Sequence, residues 1–321
     1  MQNSINCYRG IAYGGIAKIF WGNEKYARDN LSLIDCAIND PHPAVKIVAV
    51  RLLTPFLNYD INYALQRFLD LCKSDLRMSC AYESYHFFNS AFTNEFKDQY
   101  VTLVKLMLTS GYEEVSKQAG TQIFARYFFN DLFEDDLSLL LTGDESAKLG
   151  IAQVLVQFLT IDDYAEQAHK LVDVYKALIN DSSQKVKDEL LFCIQKKNFW
   201  NKGVTKELVD IYMNSQVAHA QLYHLFYALE NHVLNLENYK SMLLQLFSEI
   251  TTTNLSDESR QNIHSEMDKL TKLLQRIYDE AVDDEDEDVL NMCLDIWDNL
   301  LKLDGYAVRQ ASKHLENGLL N

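Results

Sequence analysis

The chain has 321 residues, 48% of them hydrophobic, with only three prolines and eleven glycines; this excludes a disordered chain and argues against strand-and-turn folds, which need frequent turn residues. The net charge of −16 is unevenly placed: residues 279 to 304 hold eleven acids and one base, residues 131 to 145 hold six acids and no base, and the remainder balances at 29 of each sign. Those two acidic blocks exclude non-specific nucleic-acid binding across their faces, because phosphate would be repelled, and leave room for a local basic groove elsewhere.

No run approaches the roughly 18 to 20 apolar residues that span a bilayer, and the opening MQNSINCYRG has no charged region followed by an apolar signal core. The expectation is a soluble, cytoplasmic protein with no membrane partner. Cysteines 7, 36, 72, 80, 193 and 293 contain no C-x-x-C pair, which predicts packed, reduced thiols rather than a disulfide framework or a zinc site.

In chain order, RGIAYGGIAKIF places Gly10 and Gly14 at helical spacing, which predicts close helix packing rather than a phosphate loop. Residues 24 to 38 put Tyr26, Leu31, Ile34 and Ile38 on one helical stripe. Asn39 to Pro43 then breaks the helix, and residues 44 to 57 turn Val45, Val48, Leu52 and Phe56 inward on a second helix. The unit is therefore an antiparallel helix pair. Asp40 is suited to accept hydrogen bonds as a turn or N-cap residue, and Pro43 falls in the first turn, where its missing N–H is not needed. In YESYHFFNSAF the stripe Tyr82, Tyr85, Phe88 and Phe92 predicts core packing, with Phe87 off it.

The turn recurs at NDSSQKVKDELLFCI, residues 180 to 194. Further on, VAHAQLYHLFYALENH carries a core stripe of Leu222, Phe226, Leu229 and Val233 beside a second stripe of His219, Tyr223 and Tyr227. Tyrosine and histidine on an inner helix suit a recognition face, with packing between helices as the rival reading. Near the end, DDEDEDV lacks the glycine and alternating ligands of a calcium loop and reads as a solvated turn with acids at the next helix N-terminus. A docking site for a basic partner is the other reading of that run.

Turn-plus-anchor positions recur at Tyr8, Val45, Leu76, Val115, Ala147, Val186, Val217, Arg260 and Val289, an average spacing of about 35 residues, within the range of helical repeat arrays. The expected architecture is all-α, an α-α superhelix of eight to nine helix pairs forming one domain over residues 1–321. If Tyr8 is an anchor, residues 5 to 20 form an inner helix whose outer partner would precede Met1, so an upstream region is expected.

The sequence has no G-x-x-x-x-G-K-[ST] and no G-x-G-x-x-G. Two Glu-x-x-His units, Glu83 to His86 and Glu166 to His169, match the pattern of di-metal bundles, but such a centre needs four converging helices and these units fall in separate pairs. No nucleophile and base stand at recognisable spacing. No catalytic residue, metal or cofactor is expected, and the protein reads as a non-enzyme.

The turns followed by Val45-Lys46 and Val186-Lys187 resemble HEAT or armadillo-like repeats; tetratricopeptide repeats are the runner-up, but their Trp-Leu-Gly-Tyr arrangement is missing. CYRGIA at 7 to 12, INDPHPAVKIVAVRLLTPFLNYD at 38 to 60, LLLTGDESAKLGIAQVL at 139 to 155 and CLDIWDNLLKLDGYAVRQASKHLE at 293 to 316 together resemble the C-terminal repeat region of bacterial STAND or NACHT-type ATPases. The resemblance implies a ligand-sensing array downstream of an NTPase and effector, often in antiphage defence. On that expectation the chain binds a protein or peptide on a concave face through His219, Tyr223 and Tyr227, with Arg9, Arg51, Arg77 and Arg126 as charged contacts. The alternative is a nucleic-acid-binding helical repeat in which those arginines line a basic groove, and a third reading is a metalloenzyme built on the Glu-x-x-His units.

Overall fold

The computed structural model describes residues 8–92, 95–161, 164–201, 203–215, 217–218, 221–233, 236–252 and 257–303. Every regular element among them is a helix, and the protein is all-α. None of the described helices is long and apolar enough to cross a membrane. The chain falls into two compact units, Met1–Ile151 and Ala152–Asn321.

The first unit runs through α1 (Tyr8–Gly22), α2 (Glu24–Asp29), α3 (Leu31–Ile38), α4 (Pro43–Leu53), α5 (Phe56–Tyr59) and α6 (Ile61–Ser74). A 3-10 turn at Leu76–Cys80 leads to α7 (Ser84–Phe92), α8 (Lys97–Leu108), α9 (Glu113–Asn130) and α10 (Glu134–Leu140). Helix α11 (Glu145–Ile161) crosses into the second unit, which continues with α12 (Ala168–Ile179), α13 (Gln184–Ile194), α14 (Thr205–Met213), α15 (Leu222–His232), α16 (Lys240–Thr252), α17 (Asp257–Asp283) and α18 (Glu287–Leu303). Helices near one another along the chain pack together, whether adjacent or separated by one or two others: α3 and α1 on α4, α8 on α9, α12 on α13, α17 on α15 and α18.

The two turns that read alike in sequence are built alike. Asn39 and Asn180 end their helices, each side-chain amide donating to the carbonyl four residues back, Asp35 at 2.9 Å and Lys176 at 3.1 Å. Asp40 and Asp181 then accept from the backbone N–H two residues on, His42 at 2.8 Å and Ser183 at 2.7 Å. That residue caps the following helix, His42 accepting from the Ala44 N–H and Ser183 from the Val186 N–H. Asp40 thus shapes the turn, while His42 is the N-cap and Pro43 the first helical residue, where no N–H is required.

Val45, Val115, Ala147, Val186 and Val289 are each the third residue of a helix. The backbone N–H of three of them is capped by the residue three before: Asp144 for Ala147, Ser183 for Val186 and Asp286 for Val289. The acidic run before α18 therefore supplies a cap, as read from the sequence. Val45, Val115, Ala147 and Val186 are buried in the core. Leu76 departs from this pattern because it opens a 3-10 turn, and Tyr8, at 94% exposed, is a surface residue rather than a core anchor. The side chain of Arg260 lies outside the described residues.

Val45, Val48, Leu52 and Phe56 are buried as expected, and so are Leu222, Phe226, Leu229 and Val233. Two other stripes are corrected. The stretch 24 to 38 is two short helices because Asn30 interrupts it, donating its amide to the Tyr26 carbonyl, and Tyr26 is left exposed. In the 82 to 92 stretch Tyr82 and Tyr85 are exposed, whereas Phe87 is buried with Phe88, the two packing against Phe68 at 4.5 and 5.4 Å between ring centres. The helix begins only at Ser84, and the tighter turn before it shifts the phase, so Ser84, Phe87, Phe88 and Ala91 form the inward face. Cys72, Cys193 and Cys293 are buried thiols, with burial raising the Cys293 thiol to about 11, while Cys36 is exposed.

Helices α9 and α11 approach to backbone contact. A Cβ at Gly120 would overlap the Ala147 carbonyl oxygen and lie 2.8 Å from its carbon; one at Gly150 would overlap the Lys117 carbonyl oxygen and lie 2.9 Å from its carbon. Two polar bonds pin the crossing, Ser116 Oγ to Asp144 Oδ1 at 2.9 Å and Thr121 Oγ1 to the Gly150 carbonyl at 3.3 Å. Only glycine admits this approach.

Candidate recognition cleft

Helix α1, YRGIAYGGIAKIFWG, is apolar almost all round, with Arg9 and Lys18 its only charges. A helix of that composition is expected to be covered on every side. Only one side is. Gly10, Ala17 and Phe20 are buried, whereas Ile11, Ile19 and Trp21 are 57%, 50% and 50% exposed.

Gly10, Gly14 and Gly15 of α1 line a half-open cleft of about 350 Å³. Its walls are Ile11 and Lys18 of α1, Ile47, Val48 and Arg51 of α4, and the Ala81, Tyr82 and Glu83 segment. Gly10 is buried, but no atom lies within 4 Å of where a Cβ would stand on Gly14 or Gly15. The expectation of tight packing at Gly14 is therefore overturned: this glycine faces open space. Glycine in a helix interior costs about 0.5–1 kcal/mol relative to alanine, and no neighbouring side chain requires it here.

The far wall is held in place by local bonds. Asp75 Oδ1 accepts from the Arg77 N–H and starts the 3-10 turn; the Ser84 hydroxyl donates to the Met78 carbonyl and closes it. This sets Glu83 opposite α4, where its carboxylate accepts from Arg51 Nε at 2.6 Å. Glu83 is thus committed to an ion pair, and His86, the other half of its Glu-x-x-His unit, lies against Tyr85 with the ring centres 3.8 Å apart and the planes tilted. Among the described residues no group of three His, Cys, Asp or Glu side chains is gathered for a metal.

Among the described residues, Arg51 is the one expected contact residue that lines the cleft. Arg9 pairs with the buried Asp40 at 3.0 Å. Arg77 grips Asp75 through both carboxylate oxygens, at 2.9 and 2.7 Å, and this hydrogen bonding holds the Asp75 carboxyl below its usual range. Arg126 is 8% exposed: it donates to Asn89 Oδ1 at 2.5 Å, lies 3.4 Å from the Tyr100 hydroxyl and covers the Phe92 ring at 4.7 Å. Burial pushes the Tyr100 hydroxyl up to about 12, so it stays protonated beside that cation and donates to Gln122 at 3.1 Å. Arg126 is a core cation, not a surface contact.

In the second unit Tyr223 and Tyr227 are 48% and 38% exposed on α15, stacked at 6.1 Å between ring centres. Lys269 of α17 sets its ammonium 4.3 Å from the centre of the Tyr223 ring, a cation–π contact absent from the sequence reading. Behind this ledge His224 bonds Gln195, and burial lowers its pKa. His219 lies outside the described residues.

Sequence reasoning missed Gly14, Gly15, Lys18, Ile47, Tyr82 and Glu83. The one signal was the Gly-Gly pair inside an unbroken helical pattern. No protein-family model matches this sequence, and no curated protein is similar to it at a significant level.

Proposed function

We propose that this chain is a non-enzymatic recognition module, a HEAT-like helical repeat whose cleft between α1, α4 and the 81–83 segment receives an apolar side chain of a protein or peptide ligand. The carrying observation is the uncovered glycine floor: Gly14 and Gly15 support no packing, and the space above them is walled by apolar groups and one oriented ion pair. Recognition sites combine an apolar body with a few fixed polar groups in this way. The exposed tyrosine pair of α15 is a second contact surface on this reading. On the sequence resemblance, the setting is the sensor region of a cytoplasmic bacterial STAND-type signalling or antiphage defence protein.

The nucleic-acid alternative needs unpaired arginines along a groove. Arg9, Arg51 and Arg77 each meet an internal carboxylate and Arg126 is buried, which favours a protein ligand.

The test is capture from infected and uninfected bacterial lysates, with and without nuclease, using the native chain and a Gly14→Phe variant that fills the cleft. A protein held by the native chain after nuclease and lost by the variant supports the reading. Capture that vanishes with nuclease moves the assignment to nucleic acid; capture unchanged by Gly14→Phe removes the cleft from it.

A further inference from the structure

The outward side of α1 is a continuous apolar stripe: Tyr8, Ile11, Gly15 and Ile19 recur at spacings of three and four, and all four are exposed. Such a stripe on the solvent side is the pattern of a helix packed against another helix. The repeat supplies no described helix on that side.

Helix α18 carries a matching unfinished seam. Leu290, Leu294, Trp297 and Leu301 follow one another at spacings of four, three and four. Trp297 is buried against Tyr278, but Leu294 and Leu301 are 49% and 41% exposed. The flanking charges are Glu287, Asp288, Asp295 and Asp298 against Lys302 alone. None of these four carboxylates has an ion-pair partner among the described residues. Of the cations on α1 and α4, which carry no carboxylate of their own, Arg9 and Arg51 are already paired with Asp40 and Glu83, so the positive charge on offer is that of Lys18 and Lys46. Lys18 stands exposed at the cleft wall, also without an ion-pair partner among the described residues.

From this complementarity we infer that the occupant of the cleft is α18 of a second copy of the chain. The Leu294 and Leu301 side of α18 lies along the Ile11, Gly15 and Ile19 stripe, and its acids face Lys18. The missing side chains at Gly14 and Gly15 let the two helices approach closely, as Gly120 and Gly150 do for α9 and α11. The inference rests on the recognition reading of the cleft and names its partner. Two different surfaces meet, so the contact is heterologous, and each copy brings both of them to the assembly. Ligand capture by the cleft then competes with self-assembly.

Sedimentation velocity on the full chain across a wide concentration range tests this, with Ile11→Asp and Leu294→Lys variants whose folding is checked by helical circular dichroism. Both positions are exposed, so both variants are expected to fold. The native chain is expected to rise steadily above its 37.1 kDa monomer mass with concentration, and less so at high salt. Each variant alone is expected to remain monomeric. Mixed in equal amounts they are expected to form a dimer of twice the monomer mass and stop there, because the intact α18 of one meets the intact cleft of the other. A native chain that stays monomeric, a mixture that stays monomeric, or a single variant that still pairs with itself overturns the inference. Lysate capture with Gly14→Phe is read separately, so the recognition reading can survive loss of the self-assembly one.

Discussion

Gly120 and Gly150 sit at the α9/α11 crossing, Gly14 and Gly15 on α1, and all four lie inside helices, where alanine has the better intrinsic propensity. At the crossing each glycine is demanded by a backbone carbonyl of the facing helix; on α1 nothing lies within 4 Å. The same residue type serves close packing in one place and leaves an open floor in the other. A helix glycine therefore has meaning only through what stands opposite it, and where nothing does, a missing partner is the natural reading.

The largest test of that contrast is at the crossing. Gly120→Ala or Gly150→Ala is expected to destabilise by about 3 kcal/mol, the upper end of overpacking costs, because the obstacle is backbone and cannot rotate away. Urea unfolding midpoints measure it; a loss under about 1 kcal/mol would mean that the helices separate easily and the contrast is false.

The buried arginine gives the next test. Arg126→Ala removes a buried cation from Asn89, Tyr100 and Phe92 and is expected to cost about 2 kcal/mol. An unchanged midpoint for that variant would contradict its placement in the core.

On α1 the sign reverses. Gly14→Ala and Gly15→Ala are each expected to stabilise by about 0.5–1 kcal/mol, since a methyl group meets open space and the unfolded chain loses freedom. Destabilisation by either would show that a neighbour does occupy the floor. The smallest effect is expected for Arg51→Ala, under about 1 kcal/mol, because Arg51 is 46% exposed and its pair with Glu83 is largely screened by water. Its consequence belongs to ligand capture instead: weaker retention with an unchanged unfolding midpoint is the expected combination.

The second unit adds a pH test of the ledge behind Tyr223. His224 has its pKa lowered by burial, so the unfolded chain binds its proton more readily than the folded one. Its contribution is expected to be intact above the ordinary histidine range and to fall as pH drops through and below it. His224→Gln should flatten that part of the profile in denaturant titrations; an identical profile would assign the dependence elsewhere.

Much of the fold was legible in the residues. The inward faces of α4 and α15 follow the 3.6-residue period, and the turns at 39–43 and 180–184 declare themselves through Asn, Asp and a capping side chain. All of these involve partners within about four positions, so local composition determines them. The stripe at Tyr82 and Tyr85 was misread because a 3-10 turn changed the phase before α7 began, and the stripe at Tyr26 because one asparagine, Asn30, ended a helix early. Both are boundary effects, where a shift of one or two residues turns a face inside out.

The candidate site was far less legible. Arg126 meets Asn89 across 37 positions and Arg51 meets Glu83 across 32, so neither the burial of the first nor the pairing of the second can be read from spacing along one helix. The sequence by itself determined where helices run, how they stop and which sides are apolar, because those are contests between neighbouring residues. Only the tertiary structure decided which glycines are crowded, which arginines are spent inside and which apolar sides remain uncovered, because each depends on what a distant segment of chain brings into contact.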